Sequence, residues 1–533
     1  MSQTSIPTNK QNIFIAIIIA IAVPGVLFLL SWNIGFDPGD EGFYWYGAQR
    51  ILHGEMPIRD YMSYDIGRYY WTAAVMYALA DSGIYAARVS ALLFHGLTLA
   101  VALFVCLWGL PNPQSLAKRA LVASLVALTL TLWTTPYYKA FDHGASILVV
   151  AMLVLLLKTR NSKVWLLAGL LLGIAAIIGR NHGVYGAAAA SFALLWILGH
   201  GADFRQTLRP AAAFIFGVVL SFSPTFLLMA WAPGFGEAFL ESIRVILRAS
   251  NTNIPLPIPW PWHFNPRTLG WVTWAAEFLR GSMFVLILPV LAILMLSMRR
   301  RNISEFAPAH VVLMAATLAA IPYSHYAYSR ADVFHLAMSM LPLVIGLVTA
   351  GGLLNLPLLK SACLLLLTVT ALSDTHPILN KYLRMQNYQA LQISGHEILI
   401  LPGIAEKLAE ANEALNRHPE ARQRFLALPN MPSLHAMHQV KMATWETYSL
   451  HVREASFEHE ELRRLRDQQP KMILISNHPL DQREEFRYSR LRPALYAWVN
   501  ENYTLERRSE ALPDSNSGAL EIYLKKTEPS AKP

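Results

Sequence analysis

The stretch Ile13-Phe-Ile-Ala-Ile-Ile-Ile-Ala-Ile-Ala-Val-Pro-Gly-Val-Leu-Phe-Leu-Leu-Ser-Trp32 runs twenty residues without a charge and hands over directly to Asn33-Ile-Gly-Phe-Asp37-Pro-Gly-Asp40-Glu41. Twenty apolar residues in helical conformation match the hydrocarbon thickness of a bilayer, about 30 Å. The run exceeds a signal-peptide core of roughly 7–15 residues and no small-residue cleavage site follows, so it reads as a retained first span. The composition agrees. Of 533 residues 54% are hydrophobic and 15% charged, and mean hydropathy is +0.34. Soluble domains carry about 25% charged residues, so a chain this long needs lipid as a second solvent.

Runs of similar character recur through the first 373 residues. They lie near 12–32, 84–110, 117–135, 144–158, 164–180, 184–199, 209–231, 279–298, 305–323, 334–350 and 356–373, predicting eleven spans. Alternate returns carry Lys118 and Arg119, then Lys158, Arg160 and Lys163, then Arg205 and Arg209, then Arg299 to Arg301, with Lys360 near the fifth. Lysine and arginine mark the cytoplasmic side. The N-terminus is therefore expected inside and the C-terminus outside. The net charge of +9 is largely absorbed by these returns, and nucleic acid is not an expected partner. Cys106 and Cys363, both in apolar runs, are the only cysteines, so neither a disulfide framework nor a Cys-x-x-Cys metal site is present.

After Ser373 the composition turns charged, with helical patterns over Ile404 to Arg417 and Ser456 to Asp467 and strand patterns over Lys471 to Ser476 and Leu520 to Leu524. The expected organisation is a transmembrane domain over 1–373 and a small α/β domain over 374–533 outside the membrane, ending in a disordered tail from about Glu528.

The loop behind the first span concentrates the chemistry. Asp37-Pro-Gly-Asp40-Glu41-Gly-Phe-Tyr44-Trp-Tyr46-Gly-Ala-Gln49-Arg50-Ile-Leu-His53-Gly54 reads as a turn, a short helix capped by Asp40, and a glycine stop. Its aromatics suit the membrane interface. A second interfacial segment, Tyr61-Met-Ser-Tyr64-Asp65-Ile-Gly-Arg68-Tyr-Tyr-Trp71, follows. The plain reading of Asp40 and Glu41 is complementation of a helix dipole.

The order of elements resembles the GT-C superfamily of polyprenyl-phosphate-sugar-dependent glycosyltransferases, such as protein O-mannosyltransferases and aminoarabinose transferases. Members have one span, then an acidic pair opening an interfacial helix, then a second interfacial helix. The resemblance covers about 370 residues of architecture. It implies Asp40, with Glu41 beside it, as the catalytic acid. It also draws in Tyr137-Tyr-Lys139-Ala-Phe-Asp142-His143-Gly144, the corner Gly179-Arg180-Asn181-His182-Gly183 behind Gly169-Leu-Leu-Leu-Gly173, and Tyr328-Ser-Arg330-Ala-Asp332-Val-Phe-His335. The implied substrate-binding set is Tyr64, Arg68, Asp142, His143, Arg180, Arg330, Asp332 and His335. Ile66-Gly67-Arg68 stands where the aminoarabinose group shows Lys-Pro-Pro, so the lipid A acceptor of that group is not carried over, and the oligosaccharyltransferase Trp-Trp-Asp is absent.

What the resemblance implies is an inverting transferase in a bacterial inner membrane. Its partners would be a polyprenyl-phosphate-linked sugar donor, a glycan, lipid or protein acceptor, and the membrane lipids. Phosphate contact favours arginine, which stays charged in a low dielectric. His143, His182, His325 and His335 are read as hydrogen-bonding residues before metal ligands. No metal-binding motif is present, and a divalent metal as cofactor is left open. A transporter or lipid-linked sugar flippase is the alternative, disfavoured because no internal repeat is found. A non-catalytic anchoring protein would not explain acids and arginines gathered in loops of one parity. The proline-rich loop Asn253-Ile-Pro-Leu-Pro-Ile-Pro-Trp-Pro-Trp262 fits either an entry border or a wedge against the membrane.

Overall fold

The computed structural model describes residues 10–110, 115–249, 254–298, 307–353, 364–370, 376–383, 387–449, 452–509 and 519–526. Among them eight helices are long and apolar enough to cross a membrane: Lys10–Ser31, Ile84–Gly109, Leu116–Trp133, Tyr137–Lys158, Arg180–Gly199, Phe204–Trp231, Thr273–Met298 and Val333–Ala350. The protein is a polytopic α-helical membrane protein with a small C-terminal α/β region.

The other three of the eleven expected spans fall outside these eight for different reasons. Ser162–Ile178 forms a shorter apolar helix of 17 residues. Pro308–Ser329 is a helix of 22 residues but is not among the eight, because its C-terminal half carries Tyr323, His325, Tyr326 and Tyr328. The stretch 356–373 falls largely outside the described residues, with 364–370 helical. Arg299 to Arg301, Lys360 and the tail from Glu528 also lie outside them.

The chain divides into two compact units. One takes 1–31, 91–232 and 251–380; the other takes 32–90, 233–250 and 381–533. In the first, the helix Ala140–Lys158 is buried along nearly its whole length. By contrast, Phe204–Trp231 buries only Thr207, Pro210, Gly217 and Thr225 and presents Ile215, Phe216 and Leu220 outward, as a lipid-facing helix does. It packs on Ser162–Ile178 through glycines. A Cβ on Gly169 would meet the Phe214 carbonyl oxygen at 2.0 Å, and one on Gly217 the Leu166 oxygen at 2.3 Å. Gly169 and Gly173, four residues apart, thus form the small-residue face that lets membrane helices approach backbone to backbone.

In the second unit a four-stranded sheet places Phe425–Leu428 parallel to Met472–Ser476. Leu520–Lys525 then pairs antiparallel with Met472–Ser476 and with Tyr503–Arg508. Strands two and three of this order were expected; Phe425–Leu428 and Tyr503–Arg508 are additions. A separate hairpin pairs Gln389–Ile393 with His396–Ile400 across Ser394 and Gly395, both at positive φ, as a two-residue turn matching strand twist requires. Its second strand also holds the chain behind the first span. Gly35 N–H donates to Leu399 O at 2.8 Å, and Leu399 N–H to Asn33 O at 2.8 Å.

Candidate functional site

The loop helix forms over Asp40–Leu52, and a second helix over Ile66–Leu79. The capping acid is Asp37 and not, as the sequence suggested, Asp40. Asp37 Oδ1 accepts from the backbone N–H of Gly39 at 2.8 Å and of Asp40 at 2.9 Å. Pro38 fixes the backbone between them, so the aspartate folds back on its own chain in an Asx turn. Asp40 becomes the first helical residue.

Residues from Glu41 to Arg50 are all buried, so the aromatic rings of this helix lie within the unit. Tyr44 shares hydrogen bonds with Thr72 and Ser90, both at 2.5 Å. The Tyr46 hydroxyl accepts from Met442 N–H at 2.9 Å. Segments of the C-terminal region supply much of the cover. A Cβ on Gly39 would come within 3.3 Å of Asn430 O and of the Tyr448 ring, and one on Gly42 within 2.6 Å of Ser433 N. Glycine at both positions is what admits the 430–433 turn and Tyr448.

The three acids of this loop have three environments. Glu41 is buried and held by Arg88 in a two-pronged pair, Nε to Oε1 at 2.7 Å and Nη2 to Oε2 at 2.7 Å. Arg88 also donates to the carbonyls of Gly35 and Trp32. Asp37 keeps a little accessible surface but is densely surrounded by protein. Burial first, and the neighbouring Asp40 charge second, raise its carboxyl to about 7, against the opposing pull of the two backbone N–H groups. Asp40 is partly accessible. Phe43, Tyr69 and Tyr448 form an apolar cluster, with Tyr64 edge-on to Phe43 at 4.9 Å between centroids. Arg68 lies over the Tyr64 ring at 4.9 Å.

The remaining sequence candidates belong to the first unit. Asp142 is partnered with His182, Nε2 to Oδ1 at 3.0 Å, and the other ring nitrogen of His182 lies 3.0 Å from the Tyr323 hydroxyl. His143 Nε2 lies 3.1 Å from Phe334 O. Asp332 caps the helix that follows it, accepting from Phe334 N–H at 3.0 Å and His335 N–H at 2.9 Å. It also pairs with Arg330 Nε at 2.9 Å and His335 Nδ1 at 2.7 Å. Burial pushes the Asp332 carboxyl up, but the bonds and charge of His335 outweigh it and hold the group at about 2. Arg330 donates a second bond to Ile254 O at 2.9 Å, on the proline-rich loop. Arg180 opens the helix Arg180–Gly199. Among the described residues no three His, Cys, Asp or Glu side chains gather to hold a metal ion.

No family model matches the sequence, and no curated protein matches it. Solved structures of an oligosaccharyltransferase from Archaeoglobus fulgidus are remotely similar. One is AglB in complex with an inhibitory peptide and a dolichol-phosphate, at TM-score 0.45 and 10% identity, covering 88% of this chain and 69% of that one. The apo form gives 0.39 and 11%, covering 87% and 69%. The form tethered by a disulfide bond to an acceptor peptide gives 0.45 and 10%, covering 98% and 74%.

Sequence reasoning missed Asp37, Arg88, Tyr323 and Tyr448. Asp-Pro-Gly is a turn signal that could have named the capping acid, and a lone arginine inside an apolar span is a standing signal for Arg88. Tyr323 and Tyr448 have no local signal, since the residues they meet are distant in sequence: His182, 141 residues away, and Gly39 and Phe43 in the first loop.

Proposed function

We propose that the protein is an inverting glycosyltransferase, moving a sugar from a polyprenyl-phosphate carrier to an acceptor hydroxyl or amine at the outer face of the membrane. The observation that carries the reading is the sorting of the loop acids. Asp37 closes the turn and Glu41 is paired with Arg88, so neither of those structural roles falls to Asp40, the partly accessible acid that opens the helix. In this reading the acceptor oxygen or nitrogen attacks the anomeric carbon while the bond from that carbon to the phosphate oxygen breaks. The acceptor proton passes to the Asp40 carboxylate, and the carrier phosphate leaves with the bonding electron pair. A general base must be within hydrogen-bond reach and ionised at the working pH. A neighbour protonating near 7, as Asp37 does, relieves Asp40 of like-charge repulsion. The arginines Arg330, Arg180 and Arg68 are our candidates for the carrier phosphate, with Tyr64, Asp142, His143, Asp332 and His335 around the substrates.

Asp40→Asn tests this directly. Asp37 keeps the turn closed, so thermal stability should stay near wild type. Transfer from a panel of labelled undecaprenyl-phosphate sugars should fall by roughly 10²–10⁴, the usual effect of losing a general base. Transfer at the wild-type rate by the Asn variant would end the assignment of Asp40, and no transfer from any donor by the wild type would end the reading itself.

A further inference from the structure

We propose that His182, locked by Tyr323 as the tautomer with its hydrogen on Nε2, is a positioning residue that holds the Asp142 carboxylate for the donor sugar. The role toward a sugar rests on the functional reading above; the tautomer and the hold on Asp142 do not.

All three residues belong to the first unit, and each comes from a different helix. Asp142 lies in the first turn of Ala140–Lys158, His182 near the start of Arg180–Gly199, and Tyr323 on Pro308–Ser329. The His182 side chain is inaccessible, Tyr323 is buried, and 11% of the Asp142 side chain is exposed. A carboxylate so placed needs hydrogen-bond donors, and His182 Nε2 lies 3.0 Å from Asp142 Oδ1. A ring nitrogen that close to a carboxylate oxygen carries the hydrogen, because two lone pairs would repel. Neutral imidazole has one N–H and one lone pair, so Nδ1 is then an acceptor. The group it meets, 3.0 Å away, is the Tyr323 hydroxyl, which donates. Donation therefore runs from Tyr323 to His182 to Asp142, and the bond made by one ring nitrogen decides what the other carries.

The corner before His182 is shaped to admit the ring. A Cβ on Gly179 would come within 2.7 Å of His182 Cδ2 and 2.6 Å of Asn181 Oδ1. The ring also joins a wider cluster. Tyr326 lies 6.4 Å from His182 between centroids and stacks at 4.9 Å on His335, the histidine paired with Asp332. Next to Asp142, His143 reaches the carbonyl of Phe334, the neighbour of His335. Asp142 thus belongs to the same cluster as Asp332 and Arg330, which we assign to the substrates. A polar group held in one direction fixes the orientation of the ligand it meets. Contact with a sugar hydroxyl away from the reacting carbon persists from bound state to transition state, so losing it raises KM and spares kcat.

His182→Phe removes the donor to Asp142, whereas His182→Gln keeps an amide N–H in its place. Donor KM should rise roughly tenfold in His182→Phe, about the worth of one hydrogen bond to a charged group, with kcat near wild type. His182→Gln should recover most of the loss. Asp142→Asn should raise donor KM as well, and adding His182→Phe to it should change KM by less than about twofold, since the histidine acts through the carboxylate. Effects that multiply in the double variant, or a fall in kcat at unchanged KM, would overturn the positioning role. If the wild type transfers no sugar, the functional reading fails, and histidine-selective nitrogen NMR in micelles still decides the hold on Asp142. One ring, identified by its loss in His182→Gln, should carry hydrogen on Nε2 and none on Nδ1. Tyr323→Phe, which keeps its own ring but removes the donor, should shift that Nδ1 signal. Hydrogen on Nδ1 in the wild type, or identical signals in Tyr323→Phe, would sink it.

Discussion

Removing Arg88 should unfold the first-loop site without touching its chemistry. The guanidinium makes four contacts: two with the Glu41 carboxylate and one each with the carbonyls of Gly35 and Trp32. Both partners of the ion pair are nearly inaccessible, at 3% and 6% side-chain exposure. Arg88→Met leaves a buried carboxylate without its counter-charge, which costs about 3–5 kcal/mol. Two carbonyls lose a donor at about 1 kcal/mol each, so the sum is about 5–7 kcal/mol, enough to exhaust the stability of many domains. Glu41→Gln is milder, about 2–3 kcal/mol, because Arg88 keeps both carbonyls and one amide oxygen. In the double variant no buried charge remains, and the two effects should fall short of additivity by about 2 kcal/mol. Unfolding of the four proteins in detergent micelles, followed by tryptophan fluorescence, gives the cycle. Turnover per folded molecule should survive Glu41→Gln. A cost below about 1 kcal/mol for Arg88→Met, or additivity within about 0.5 kcal/mol, would refute the argument that Glu41 is a structural acid.

Further outcomes follow from the same geometry. Asp37 holds its proton to about 7 when folded, against 3.8 as a free side chain. Its contribution to stability is therefore complete below 3.8 and lost as pH rises through 7. Asp37→Asn keeps the turn acceptor, so it should be more stable than wild type above neutrality and flatten the pH dependence of melting; an unchanged dependence speaks against a shifted Asp37. Arg330→Lys retains charge but loses the fork that serves Asp332 and Ile254, and donor affinity should fall about tenfold, one charged hydrogen bond. Equal donor affinity in Arg330→Ala would remove the arginine from the carrier site. A phosphatase fused at the C-terminus should be active outside the cytoplasm, and a silent phosphatase with an active cytoplasmic reporter would reverse the proposed topology.

The spans were legible because hydropathy is a property of contiguous sequence, and so was the first loop helix, whose boundaries are written in Asp-Pro-Gly-Asp and His53-Gly54. The span expected near 164–180 forms as the shorter helix Ser162–Ile178, where the Gly169 and Gly173 face lets a 17-residue helix pack closely. Loop chemistry was legible as composition and not as assignment. Asp37, Asp40 and Glu41 look alike in sequence; their difference comes from the turn that Asp37 closes and from Arg88 on a later helix, which pairs with Glu41. The close approaches at Gly39 and Gly42 have no periodicity to betray them. Likewise, Asp142 could be seen as an acid of interest, but its partner His182 sits 40 residues on, in the Arg-Asn-His-Gly corner that was noticed for its arginine.

Placing three acids within five residues raises the cost of ionising any one of them, so the loop has to remove two charges to make the third useful. It does so by two different means. Glu41 is cancelled by a cation in a buried, two-pronged pair. Asp37 is discharged by burial and by Asp40 itself, and it titrates close to neutrality. Environments that push like groups apart in acidity are how one small site divides roles between chemically identical side chains. The two solutions also bear on geometry. Asp37 pins the turn before Asp40 and Glu41 pins the helix after it, so the backbone of Asp40 is held on both sides. In the role proposed above for Asp40, a backbone held in this way limits the reorganisation that a general base must undergo when a proton arrives.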